Sequence, residues 1–94
     1  KLFSILKGKI VTNHTNDIQV VITESDGSIL DMTSISKNGE YKLDLTIMDT
    51  PSLVEVKKLF VEVKNAKGKK RKYPIRQRIN VSGDTILLKP LIFN

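Results

Sequence analysis

Eight cationic side chains, Lys64, Lys67, Lys69, Lys70, Arg71, Lys72, Arg76 and Arg78, fall within fifteen residues of this 94-residue chain. Ammonium and guanidinium groups at that density are anion-binding chemistry, because their summed field attracts phosphate, carboxylate or sulfate groups and is screened by salt. They account for half of the sixteen Lys and Arg that, against ten Asp and Glu, give a formal charge of +6. The candidate anion- or partner-docking residues are Lys69, Lys70, Arg71, Lys72, Arg76 and Arg78. With Tyr73, Ile75 and Ile79 turned inward, Lys72, Arg76 and Arg78 point outward and form a basic stripe. Such a stripe could meet nucleic acid, anionic lipid headgroups, acidic glycan or an acidic protein face. The competing reading is that these charges only solubilise the chain and guard an edge strand, a common use of lysine. That reading is favoured.

The aromatic residues weigh against the sharper alternatives. There is no Trp, and Tyr41, Tyr73, Phe3, Phe60 and Phe93 sit in apolar patterns that suit core or rim packing. Stacking platforms for single-stranded nucleic acid or sugar rings need exposed rings. Nucleic acid is therefore disfavoured as a partner, and membrane contact is expected to be peripheral at most.

Other chemistry is sparser still. His14 is the single histidine, set in a polar turn with Asp17 nearby, whereas a zinc site needs three or four ligands. Asp26, Asp31, Asp44, Asp49 and Asp84 lack the spacing of a calcium loop, and cysteine is absent. The serines have no base to activate them. No catalytic residue, metal, cofactor or small-molecule substrate is expected. Asn13-His14-Thr15 and Asn80-Val81-Ser82 fit the N-glycosylation pattern, to which no modification is assigned.

The elements that position these residues read as strands. From Ser36 to Met48 a Lys-Asn-Gly turn opens onto Tyr41, Leu43, Leu45 and Ile47 alternating with Lys42, Asp44 and Thr46, the pattern of a strand with one buried face. Similar runs place strands at about 5 to 12, 17 to 24, 28 to 36, 40 to 48, 59 to 65, 70 to 81 and 85 to 93, with Asp26-Gly27, Asn38-Gly39, Lys67-Gly68 and Gly83-Asp84 as turns. Ile18, Val20 and Ile22 share one face, with Gln19 and Thr23 on the other; Leu59, Val61 and Val63 do the same against Glu62 and Lys64. Pro74 and Pro90 lack the ladder donor and belong at an edge, a bulge or a strand end. Around 52 to 58 a capping-box pattern, Ser52 with Glu55, competes with the alternation of Val54 and Val56, and extended structure is favoured over a helical turn.

These readings give an all-β fold: a seven-stranded, mostly antiparallel Greek-key sandwich of Ig-like or transthyretin-like type. Its expected core includes Tyr41, Leu43, Leu45, Ile47, Val61, Val63, Ile75 and Leu88. The length suits one domain that buries roughly 65% of its unfolded surface. No run reaches the ~18 apolar residues that span a bilayer. The start at Lys1 is expected to reflect excision from a larger protein.

Gly8-Lys9-Ile10-Val11, Ile18 to Ile22, Asp26-Gly27, Asn38 to Leu43 and Ile86-Leu87-Leu88 resemble the carboxypeptidase regulatory-like domains over most of the chain. The resemblance implies a transthyretin-like sandwich serving as a non-enzymatic accessory module of a bacterial surface, periplasmic or outer-membrane protein. Its partners would then be neighbouring domains of the parent or another protein. In the related B-type repeats of Gram-positive adhesins and pilins, a Lys-to-Asn isopeptide bond is assisted by a buried Glu. Here Lys7 or Lys9 and Asn94 invite that comparison, but Leu45 stands in the place of the Glu, so the reaction lacks its general acid. Ordinary surface lysines and a chain-end Asn are the favoured reading.

Overall fold

The structure is a computed structural model that describes residues 2–47, 59–76 and 85–94. These residues form eight strands: β1 (Leu2–Val11), β2 (Gln19–Glu24), β3 (Ile29–Ser34), β4 (Glu40–Ile47), β5 (Leu59–Lys64), β6 (Lys70–Pro74), β7 (Thr85–Leu87) and β8 (Leu91–Ile92). In the first four-stranded sheet β1 is central, antiparallel to β4 and parallel to both β7 and β8. The second, ordered β3-β2-β5-β6, is antiparallel throughout. The expected all-β sandwich is thus what the chain forms, and the positions of the two prolines explain its finer details.

One core lies between the sheets. Leu6 and Ile10 of β1, Tyr41, Leu43 and Leu45 of β4, and Phe93 meet Ile18, Val20 and Ile22 at β2 and Leu59, Val61 and Val63 of β5, none more than 4% exposed. Period-two alternation puts each set on one face, and burying one such aliphatic side chain stabilises the fold by roughly 1.5–3 kcal/mol. Tyr41, Leu43, Leu45, Val61 and Val63 are where the sequence placed them, and Ile75 and Leu88 are partly buried against the same cluster. The side chain of Ile47 lies outside what is described.

Three turns share one geometry. In each, a residue and the fourth after it close the loop, and an intervening glycine donates back to the first carbonyl: Glu24 to Ser28, Ser36 to Glu40 and Asn65 to Lys69. The glycines, Gly27, Gly39 and Gly68, have φ of 91°, 81° and 89°. This is a three-residue loop ending in a left-handed glycine. At Gly39 the requirement is doubled, because a Cβ would also collide with the Ile10 carbonyl.

The strand count departs from expectation at the end of the chain. The segment at 85 to 93 is two strands, β7 and β8, rather than one. Lys7 pairs with Leu87 and Ile10 with Leu91, so the two residues Gly8 and Lys9 stand opposite the three residues Leu88, Lys89 and Pro90. Pro90 has no N–H to give the ladder, and the surplus residue is bulged out there. Pro74, in turn, ends β6. The segment at 52 to 58, Ile79, Arg78, the Asn80 glycosylation pattern and the Gly83-Asp84 turn lie outside the described residues.

Candidate functional site

The basic hairpin is built by β5, the Asn65–Lys69 turn and β6. The Asn65 carboxamide oxygen accepts from the N–H groups of both Lys67 and Lys69 at 3.0 Å, which fixes the turn and brings the lysines around it together. Register then divides the cations. Arg71 and Tyr73 pair with the buried Val63 and Val61, so they take the inward parity of β6. Lys70 and Lys72 take the outward parity, opposite Lys64 and Glu62.

The cations expected on one patch therefore form two groups. On the outer face, Lys64 and Lys70 stand directly across from each other, a like-charge pair that works against the sheet. Lys72 extends over the Phe60 ring, its Nζ 5.6 Å from the centroid. On the flank, Lys69 Nζ lies 5.3 Å from the Phe93 ring centre and the Arg71 guanidinium 5.9 Å from that of Tyr73. Each such cation–ring contact contributes about 0.5–1 kcal/mol at an exposed site. Arg76 is exposed beyond the strand, and Arg78 lies outside the described residues.

Side-chain contacts close both flanks of the sandwich. At one, Asp31, an inward-facing charge on edge strand β3, accepts from the Asp44 N–H of edge strand β4 at 2.7 Å. At the other, the Tyr73 hydroxyl donates to the Ile92 carbonyl. Inward charges and lysines on edge strands are recognised ways of discouraging edge-to-edge pairing.

The remaining candidates are scattered. His14 is exposed, and Asp17 beside the start of β2 is exposed with φ of 58°. Among the described residues no three His, Cys, Asp or Glu side chains gather as a metal site. Lys7 and Lys9 are exposed, Leu45 is in the core, and the Asn94 side-chain oxygen accepts from the Asn13 N–H at 3.2 Å. Among the described residues no helix is long and apolar enough to cross a membrane.

Two buried hydroxyls escaped the sequence reading. Thr23, outward on the central strand β2, is only 4% exposed, and its Oγ1 has no hydrogen-bond partner among the described residues. The same holds for Tyr41, whose ring lies across Gly8 of β1 so closely that a Cβ there would strike it. Burial pushes the Tyr41 hydroxyl up to about 12. The available signal was Gly8 itself, since glycine inside a strand marks a close approach by another group. The chain matches no protein-family model and no curated protein.

Proposed function

We propose that this domain is a non-enzymatic structural or interaction module, an accessory sandwich that spaces or docks parts of a larger surface or periplasmic protein. The observation that carries the reading is the closure of both flanks, by Asp31 on the Asp44 N–H and by Tyr73 on the Ile92 carbonyl. A sandwich fastened at both sides behaves as a rigid spacer, and the exposed basic side chains of β6 are left for contact. Its compartment is inferred from the family resemblance alone.

A second reading, anion binding through the basic hairpin, is favoured by the opposed Lys64 and Lys70, because an anion seated between them relieves their repulsion. The two readings separate by titrating duplex DNA, anionic vesicles and an acidic glycan at low and moderate salt against the native chain and a Lys70→Glu/Lys72→Glu variant. The module reading expects no submicromolar affinity. Salt-sensitive submicromolar binding that vanishes in the variant overturns it in favour of the second, because counterion release makes such binding fall steeply with salt.

A further inference from the structure

We propose that the free edge of β6 captures an extended acidic segment of a partner protein by adding it to the sheet as a fifth strand, a docking mode that rests on the interaction-module reading. β6 ends the order β3-β2-β5-β6, so among the described residues its far edge pairs with no strand. Register fixes which backbone groups that edge offers. Asn65 N–H donates to the Lys69 carbonyl and Ile75 N–H to the Leu59 carbonyl, and between these two pairs the bonded pairs of an antiparallel ladder recur at every second residue. Arg71 and Tyr73 are therefore the residues bonded to β5, whereas the N–H and C=O groups of Lys70 and Lys72 and the carbonyl of Pro74 face away from it. Pro74 has no N–H to offer, so the free ladder stops there. The contacts across this flank, Tyr73 on the Ile92 carbonyl and Lys69 over the Phe93 ring, are made by side chains and leave the backbone row open.

The chemistry of the row says what fits it. Donors and acceptors that recur every two residues, roughly 6.8 Å along the strand, match the backbone of an extended polypeptide. An ionised phosphate, sulfate or carboxylate accepts but cannot donate, and leaves the carbonyls of Lys70 and Lys72 unmet. In an antiparallel addition the residues opposite Lys70 and Lys72 share the face of those exposed lysines, so two glutamates spaced by one residue form opposite-charge cross-strand pairs with them. The same lysines turn away a second copy of β6, which would set lysine against lysine. The guard on this edge thus acts as a selector for acidic strands.

The test titrates three end-blocked peptides into the 94-residue chain: Thr-Val-Glu-Val-Glu-Val-Thr, a copy N-methylated at both glutamates, and a copy with lysines in their place. Saturable binding of the first is expected with a dissociation constant on the order of 0.1 mM at low salt, weakening as salt is added. Amide exchange, read by NMR, should slow at Lys70 and Lys72 and stay unchanged at Arg71 and Tyr73, which are already bonded to β5. N-methylation removes the donors to the Lys70 and Lys72 carbonyls and should weaken binding about tenfold. The lysine copy should not bind, and Lys70→Gln/Lys72→Gln, at two exposed sites, should weaken the acidic peptide about fivefold. No saturation by about 5 mM, equal binding of the N-methylated copy, or binding without the alternating protection overturns strand addition. Salt-sensitive submicromolar binding of DNA, vesicles or glycan overturns instead the module reading beneath it.

Discussion

The two edge strands of the second sheet, β3 and β6, leave the central strands β2 and β5 through turns of the same geometry, yet their surfaces differ completely. On β3 the large exposed side chains are Ile29, Leu30 and Met32, at 61%, 37% and 51%. On β6, apart from Pro74 at its end, they are Lys70, Arg71 and Lys72. A free edge must be blocked against pairing with another chain, and the two strands use different devices. The pairing of β3 with β2 shifts register between Ile22 and Thr23, leaving Leu30 surplus on β3, and β3 turns Asp31 inward to the β4 backbone. β6 uses charge, a terminal proline and a tyrosine tied to β8. An edge already fastened to its neighbour can keep apolar side chains, whereas a basic edge is both guarded and available for docking.

The largest test of that contrast removes the core ring that lies beneath the Lys69 end of the basic hairpin. Phe93 is fully buried and sits beneath Lys69, so Phe93→Ala should cost about 3–5 kcal/mol in denaturant unfolding. Native-state hydrogen exchange should rise earlier in β6 than in β3. Equal exposure of the two edges would mean that they open as one unit.

Tyr41 lies in the shared core and provides a pH-dependent handle. Its folded pKa of about 12 lies above the ordinary 10.0, so in the window between them the unfolded chain loses the proton first. The contribution is therefore intact below pH 10 and is lost as pH rises towards 12. From pH 9.5 to 11.5 the native chain should lose about 2 kcal/mol more stability than Tyr41→Phe, as read from parallel urea curves, because each pKa unit is worth about 1.36 kcal/mol. Identical pH profiles would refute this.

At the β3 flank, Asp31→Ala removes the acceptor for the Asp44 N–H and should cost about 1 kcal/mol, with faster exchange confined to that amide and its neighbours on β4. Self-association should rise as well, since the edge beside Ile29 and Met32 is no longer held. If the variant stays monomeric at millimolar concentration, the hydrogen bond does not guard this edge.

The smallest effect belongs to the basic strand. Lys70→Glu converts the like-charged pair with Lys64 into an opposite pair and should stabilise the fold by roughly 0.2–1 kcal/mol, diminishing with added salt. A destabilised variant would mean that Lys70 carries packing as well as charge.

What could be read in advance followed from local rules. The alternation from Tyr41 to Leu45 and from Leu59 to Val63 identified core faces because a strand's side chains can only alternate. The turn glycines were legible because few other residues accept positive φ, and Pro74 and Pro90 because a ring without N–H cannot sit inside a ladder. The cationic cluster was equally visible, but its division was not: which of Lys69, Lys70, Arg71 and Lys72 overlie rings depends on where Phe93, Tyr73 and Phe60 stand.

By itself, then, the sequence determined the fold class, most of the core and the turns, since each depends on backbone sterics and burial within a few residues. Only the tertiary structure decided that β1 runs parallel to β7 and β8, that Gly8 and Lys9 face three residues, that Asp31 reaches Asp44, and that Tyr41 crosses Gly8 with its hydroxyl unmatched. Those are relations between residues tens of positions apart. Period-two patterning fixes which face a side chain occupies, but it carries no information about which strand lies alongside, and the flanks, the bulge and the free edge of β6 all arise from that choice of neighbour.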